Sequence, residues 1–140
     1  MKILLVENDF YLSELLTEVL VENGFKVQTV FDGLSPLSLV EKYRYDLIIL
    51  SVILPKLNGI ELCRKLRLKG CSLPIVFWSS QDFPEYQHRV IKAGADDYLL
   101  KPCKISTLLR RINSLLGRQL MQPITKSNHD RLEPEYVGVA

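Results

Sequence analysis

Residues 46–59, Asp46-Leu47-Ile48-Ile49-Leu50-Ser51-Val52-Ile53-Leu54-Pro55-Lys56-Leu57-Asn58-Gly59, decide how this chain reads. The run Asp46 to Leu50 is short and almost wholly apolar, as expected of a buried strand. It stops on the hydroxyl of Ser51. Pro55 and Gly59 then mark a loop, and an amphipathic helix follows. A strand that ends in a polar residue before such a loop presents that residue at the carboxyl edge of a sheet. In open α/β folds, ligands and chemistry gather at that edge.

The same alternation extends in both directions. Residues 2–6, 26–30, 46–50, 74–78 and 97–100 are short β-rich or apolar runs. Helical spacing occupies 10–23, 35–44, 58–69, 83–93 and 105–117. In the first of these, Leu12, Leu15, Leu16, Val19 and Leu20 recur at three and four to make one apolar stripe. Asn23-Gly24 supplies its stop, and Ser35-Pro36 reads as N-cap and first residue of the next helix. Five strands alternating with five helices predict an α/β fold, a parallel sheet covered on both faces. Right-handed crossovers make a doubly wound, flavodoxin-like (βα)5 order of 2-1-3-4-5 the expected topology. No internal repeat is visible. The domain is expected over residues 1–117. Residues 118–140 carry Gln, Asn, Ser and two prolines without sustained periodicity, so they read as a tail or linker. They are too few for a winged helix or helix-turn-helix module.

Composition narrows the function classes. At 140 residues and 47% hydrophobic, the chain suits one globular domain with a full core. A formal charge of +2 argues for no polyanion, so no nucleic-acid contact is expected of this domain. The basic runs Arg64-Lys65-Leu66-Arg67-Leu68-Lys69 and Arg110-Arg111 read as solvated helix faces. Cys63, Cys71 and Cys103 are odd in number and lack close metal-ligand spacing; reduced thiols in a cytoplasmic protein are the simplest reading. Met1 to Val6 is too short for a signal sequence or membrane span and meets an acid at Glu7.

Several marks now fall in register: Val6-Glu7 after the first strand, Ser51 after the third, Ser79 after the fourth, Tyr98 and Lys101-Pro102 at the fifth. In this order they resemble the receiver domain of two-component response regulators, over residues 1 to about 117. The resemblance implies phosphoryl transfer from a phosphohistidine to an aspartate beside a divalent metal. It also implies the sites: two metal-binding acids after the first strand and the acceptor after the third. Here those positions hold Glu7, Asn8 and Ser51, so one carboxylate of three remains. Hard divalent cations favour carboxylate oxygen, so Mg2+ binding is expected to be weak or absent. Asp9 offers a longer reach, but its position also suits a helix N-cap. A serine hydroxyl needs a neighbouring base. His88 and His129 read as ordinary exposed residues, and Glu7 is expected to pair with Lys101.

The sensing positions persist by resemblance. Ser79 matches the hydroxyl that bonds a phosphoryl oxygen, Lys101 the lysine that pairs with it, and Tyr98 the aromatic that rotates between inward and outward positions. Singly, each also reads as a strand-end cap, a partner of Glu7 and an edge aromatic. The resemblance further implies a cis Lys101-Pro102 bond in a tight turn. Three carboxylates and a lysine leave the usual pocket net negative, whereas Glu7 and Lys101 sum to zero. The chain therefore reads as a pseudo-receiver, not an enzyme, kept for protein contacts. Its implied partners are a histidine kinase or an output domain. A homodimer through the face carrying Asp97 and Arg111 is also implied, with Arg89 as a further cation and Thr107 where an acid is usual. Cys103, where an aromatic often follows Lys-Pro, is expected to reshape the start of the last helix. Other readings stay open: a receiver still phosphorylated in a phosphorelay at an unusual residue, the N-terminal regulatory module of a larger transcription regulator, and an unrelated small flavodoxin-like enzyme or nucleotide binder. The last lacks a Gly-rich phosphate loop, since Glu7-Asn8-Asp9 stands there.

Overall fold

The computed structural model describes residues 1–117 and 135–138. Five strands, β1 (Lys2–Val6), β2 (Lys26–Val30), β3 (Leu47–Leu50), β4 (Ile75–Ser79) and β5 (Asp97–Leu100), form one sheet. Its order is β2-β1-β3-β4-β5, and every pair is parallel, as the alternation predicts. The helices are α1 (Phe10–Glu22), α2 (Ser35–Lys42), α3 (Gly59–Leu68), α4 (Pro84–Lys92) and α5 (Ile105–Leu115).

The core has two halves because the sheet is buried on both faces. Ile3, Leu5, Leu47, Ile49, Val76 and Trp78 point to α1 and α5, meeting Leu12, Leu16, Leu20, Leu108 and Ile112. Leu4, Val6, Ile48, Leu50, Ile75 and Phe77 point to the opposite face, meeting Leu62, Cys63 and Leu66 of α3 and Val90 of α4. Burial pushes the Cys63 thiol up to about 11, which keeps it a neutral core group.

Element ends differ from expectation for local reasons. Strand β4 begins at Ile75, one residue late, because Pro74 has no N–H for the ladder and offers only its carbonyl, to Ile48 (2.9 Å). Ser79 is thus the last residue of the strand. Helix α2 starts on Ser35, with Pro36 second, so Ser35 is not the N-cap. Asp32 takes that work, accepting from Leu34 N–H (2.8 Å), Ser35 N–H (2.7 Å) and Ser35 Oγ (2.8 Å). Asp9 does cap α1, accepting from Leu12 N–H at 3.1 Å, and Asn23 closes it with Gly24 at φ 89°.

A second, two-stranded sheet has no counterpart in the sequence reading. β6 (Cys103–Lys104) pairs antiparallel with β7 (Tyr136–Val137) and lies directly before α5. Most of the segment read as a tail or linker, 118–134 and 139–140, lies outside the described residues; its residues 135–138 return to the domain. Among the described residues, no helix is long and apolar enough to cross a membrane.

Candidate functional site

The carboxyl edge of the sheet holds a cleft of about 70 Å³ lined by Glu7, Asn8, Ser51, Ser79, Gln81 and Lys101, among others. That is well below the roughly 300 Å³ at which small-molecule sites begin, so the cleft suits a small ion or group and not a nucleotide. A larger groove of about 300 Å³, lined by Tyr43, Tyr45, Leu66 and Leu73 among others, is remote from these polar groups.

Four strand ends build the cleft, and those of β1, β3 and β5 carry its central groups. Glu7 follows β1 and is only 1% exposed. Ser51 follows β3, 4% exposed, with its N–H bonded to the Val6 carbonyl (3.0 Å). The start of α3 packs hard against it: a Cβ on Gly59 would lie 1.9 Å from the Ser51 carbonyl oxygen, so only glycine fits. Lys101 follows β5 directly, and its own bond to Pro102 is cis, as the resemblance implied.

Among the described residues Glu7 is the one buried carboxylate, and it is fully engaged. Lys101 Nζ pairs with Glu7 Oε1, while Ser51 Oγ donates to Glu7 Oε2 at 2.8 Å. Asp9 N–H reaches Oε2 at 3.4 Å, and Asn8, turned so that its amide suits its neighbours, donates to Oε2 and to the Ile53 carbonyl (3.3 Å each). Lys101 Nζ also lies 3.5 Å from Ser51 Oγ and 4.5 Å from the centre of the Trp78 ring. The ammonium is therefore held by a charge, a hydroxyl and an aromatic face. Among the described residues, no three His, Cys, Asp or Glu side chains converge as metal ligands. A hard dication suits this donor set poorly: one carboxylate, already shared by an ammonium and a hydroxyl, with a neutral amide beside it.

Ser79 lines the cleft at the end of β4, and Tyr98 lies beside it on β5. Ser79 Oγ accepts from Gln81 N–H (3.1 Å), tying the end of β4 to the loop beyond it. The Tyr98 hydroxyl donates to the Gln81 carbonyl, and its ring stacks on Phe77 (6.4 Å, 19°). Burial raises the Tyr98 hydroxyl above its ordinary value of 10.0, with Ser79 a weaker opposing influence. The tyrosine is thus seated inward through Gln81, a residue the sequence reading missed because a backbone carbonyl carries no sequence signal.

The other candidates fall elsewhere. Asp9 is occupied as the α1 cap, His88 is exposed on α4, and His129 lies outside the described residues. Arg111 Nη1 contacts both oxygens of Asp97 at 2.6 Å within the chain, and Arg89 stacks on Tyr86 (5.7 Å). Cys103 sits in β6, opposite Val137 and directly before α5.

With this geometry in place, comparisons with known proteins converge. The model of the response regulator receiver domain matches residues 3–113. The chain is 41% identical over 118 residues to response regulator MprA of Mycobacterium leprae, covering 84% of this chain and 52% of that protein. It is 41% identical over 123 residues to Protein RcaC of Microchaete diplosiphon, covering 88% and 19%. The chain spans about half the length of the MprA relatives it matches. Among solved structures, the BeF3-activated N-terminal receiver domain of Klebsiella pneumoniae RstA superposes with a TM-score of 0.81 at 30% identity, covering 84% and 100%. The Francisella response regulator 1452 receiver domain gives 0.79 at 33%, covering 83% and 96%.

Proposed function

The chain belongs to the response regulator receiver domain family, and from that premise we propose that it is an atypical receiver, acting through protein contacts without aspartyl phosphorylation. One observation carries the proposal: Ser51, which by resemblance stands at the acceptor position, spends its hydroxyl proton on Glu7, whose other oxygen holds Lys101. The pocket is neutral and closed by its own hydrogen bonds, with neither a carboxylate nucleophile nor an excess of negative charge to attract Mg2+. Ser79, Tyr98 and Lys101 then serve as a fixed conformation rather than as sensors of a phosphoryl group. Receiver domains interact with histidine kinases and output domains; for this chain we propose such a partner in the cytoplasm, with no nucleic acid or membrane contacted by the domain. Asp97 and Arg111 remain the candidate positions for self-association.

Intact-mass analysis after incubation with acetyl phosphate and Mg2+ tests the proposal, with Trp78 fluorescence as the metal readout. The wild type is expected to gain no phosphate-sized mass and to show no saturation at submillimolar Mg2+. A phosphate-sized mass gain, or saturation at submillimolar Mg2+, would overturn the reading. Ser51→Asp restores a nucleophile but leaves Asn8, and Asn8→Asp restores a ligand but no acceptor. The double variant is expected to bind Mg2+ more tightly than either and alone to label well.

A second reading is favoured by the 2.8 Å bond from Ser51 Oγ to Glu7. It points the hydroxyl proton at a carboxylate, the arrangement a seryl acceptor needs. Lys101 opposes it, since Glu7 would have to take the proton against an existing ion pair. A mass gain on Ser51 that survives hydroxylamine, which cleaves acyl phosphates, would establish that reading instead.

A further inference from the structure

The segment Glu135–Gly138 is seated in the domain at four points. Tyr136 and Val137 pair with Lys104 and Cys103. Val137 is 3% exposed and joins the core half formed by Leu12, Leu16, Trp78, Leu108 and Ile112, with β7 in contact with α1. The Glu135 carbonyl accepts from Ile105 N–H at 2.9 Å. That bond satisfies an orphan donor at the start of α5, where Lys104 offers no side-chain cap. Gly138, at φ 103°, lies so close to the Lys101 turn that a Cβ there would meet Lys101 Cβ at 3.1 Å and Pro102 Cα at 3.2 Å.

The structure assigns, we infer, a strand-accepting peptide groove to the space between α1, β6 and the start of α5, with the chain's own residues 135–138 as its ligand. Backbone pairing to β6 supplies affinity, and one apolar socket, filled by Val137, supplies selectivity, as in other cases of strand addition. The ligand class is an extended peptide with a small β-branched residue followed by glycine. Occupation has a consequence for the cleft. Gly138 lies close against the stem of Lys101, leaving no room for a side chain, and Trp78 is shared between the socket and the lysine, so the bound segment helps hold the ammonium on Glu7. The segment is a positioning element for Lys101. This inference does not depend on whether Ser51 takes up phosphate.

The test uses the full chain and its Val137→Asp and Gly138→Val variants. Exchange of the Ile105 amide reads the groove directly. Acetylation of Lys101 by limiting acetic anhydride, scored against exposed Lys26 in the same molecule, reads the cleft. In the wild type the Ile105 amide is expected to be protected. Either variant should exchange it at least tenfold faster and raise the Lys101 to Lys26 labelling ratio several-fold. A synthetic peptide of residues 133–140, added in trans to Val137→Asp, should restore both readouts, whereas the same peptide carrying the Val137→Asp change should not. Gly138→Val, which leaves the apolar socket intact, keeps the test valid if Val137→Asp fails to fold. An unprotected Ile105 amide in the wild type, or no rescue by the peptide, would overturn the groove. Release of Ile105 with unchanged Lys101 labelling would overturn its coupling to the cleft.

Discussion

Two ion pairs stand at the two ends of β5, and they behave as opposites. At its start, Asp97 and Arg111 meet at the surface, with side chains 20% and 47% exposed. Just beyond its end, Lys101 and Glu7 meet with 11% and 1% exposed. The geometry of contact is similar, but the solvent is not. Water stands ready to replace either partner of the surface pair, so its net contribution is small. No water can do so for Glu7, and each partner fixes the other because the alternative is an unpaired buried charge. The buried pair therefore organises the site. The surface pair leaves Asp97 and Arg111 able to exchange each other for a partner's charges at little cost.

Breaking the buried pair tests this contrast most severely. Lys101→Met keeps much of the stem but strands the Glu7 carboxylate, and about 3–5 kcal/mol of stability should be lost in urea denaturation. A loss below about 1 kcal/mol would mean that Glu7 is not confined by its neighbours. Ser51→Ala removes the second donor to the same carboxylate. A hydrogen bond to a charged group contributes about 1.5–3 kcal/mol, and the lower end is expected here because Asn8 and the Asp9 N–H remain beside Oε2. Combined with Lys101→Met, its effect should fail to add, since both variants act on one carboxylate.

Asp32 lies between the extremes, partly exposed but bonded to backbone. The Ser35 N–H above all holds its carboxyl below the ordinary 3.8, with smaller help from the Ser35 hydroxyl and the Leu34 N–H against a modest cost of burial. A lowered folded value means that its stabilisation is present above about pH 4 and is lost as acid protonates the folded carboxyl. Asp32→Ala should cost about 1 kcal/mol at neutral pH, the size of a lost helix cap. Asp32→Asn should flatten the acid limb of the stability profile between the unfolded and folded values. The smallest effect is expected at the surface pair. Asp97→Asn should change stability by less than about 1 kcal/mol, and by less still in 1 M salt, where the Debye length is about 3 Å. A larger change that depends on protein concentration in sedimentation experiments would show that Asp97 serves an interface between copies.

Much of this was legible beforehand because it is written in short-range patterns. The apolar runs that end at Val6, Leu50 and Leu100 are local signals, and so are the stripe on α1 and the loop after Ser51. Parallel order followed from them, since crossovers of that length and hand leave few topologies. What was not legible depends on who meets whom. Ser35 looked like a cap, yet the helix already begins there, and Asp32 accepts from the Leu34 and Ser35 N–H groups ahead of it. Gln81 entered through a carbonyl, and Val137 through a socket made by α1, β4 and α5 together.

That acids would be expected at Asn8 and Ser51 is what the receiver resemblance implies; by itself, the sequence determined that a hydroxyl and an amide stand at the carboxyl edge of a parallel sheet. Residue identity and periodicity suffice for that. Only the tertiary structure decided that Glu7 is shared between Ser51, 44 residues away, and Lys101, 94 residues away, and that residues 135–138 come back to lie beside the lysine turn. The reason is physical: a buried carboxylate must be satisfied by whatever donors the packed chain brings within about 3 Å, and that set is fixed only when the whole core closes.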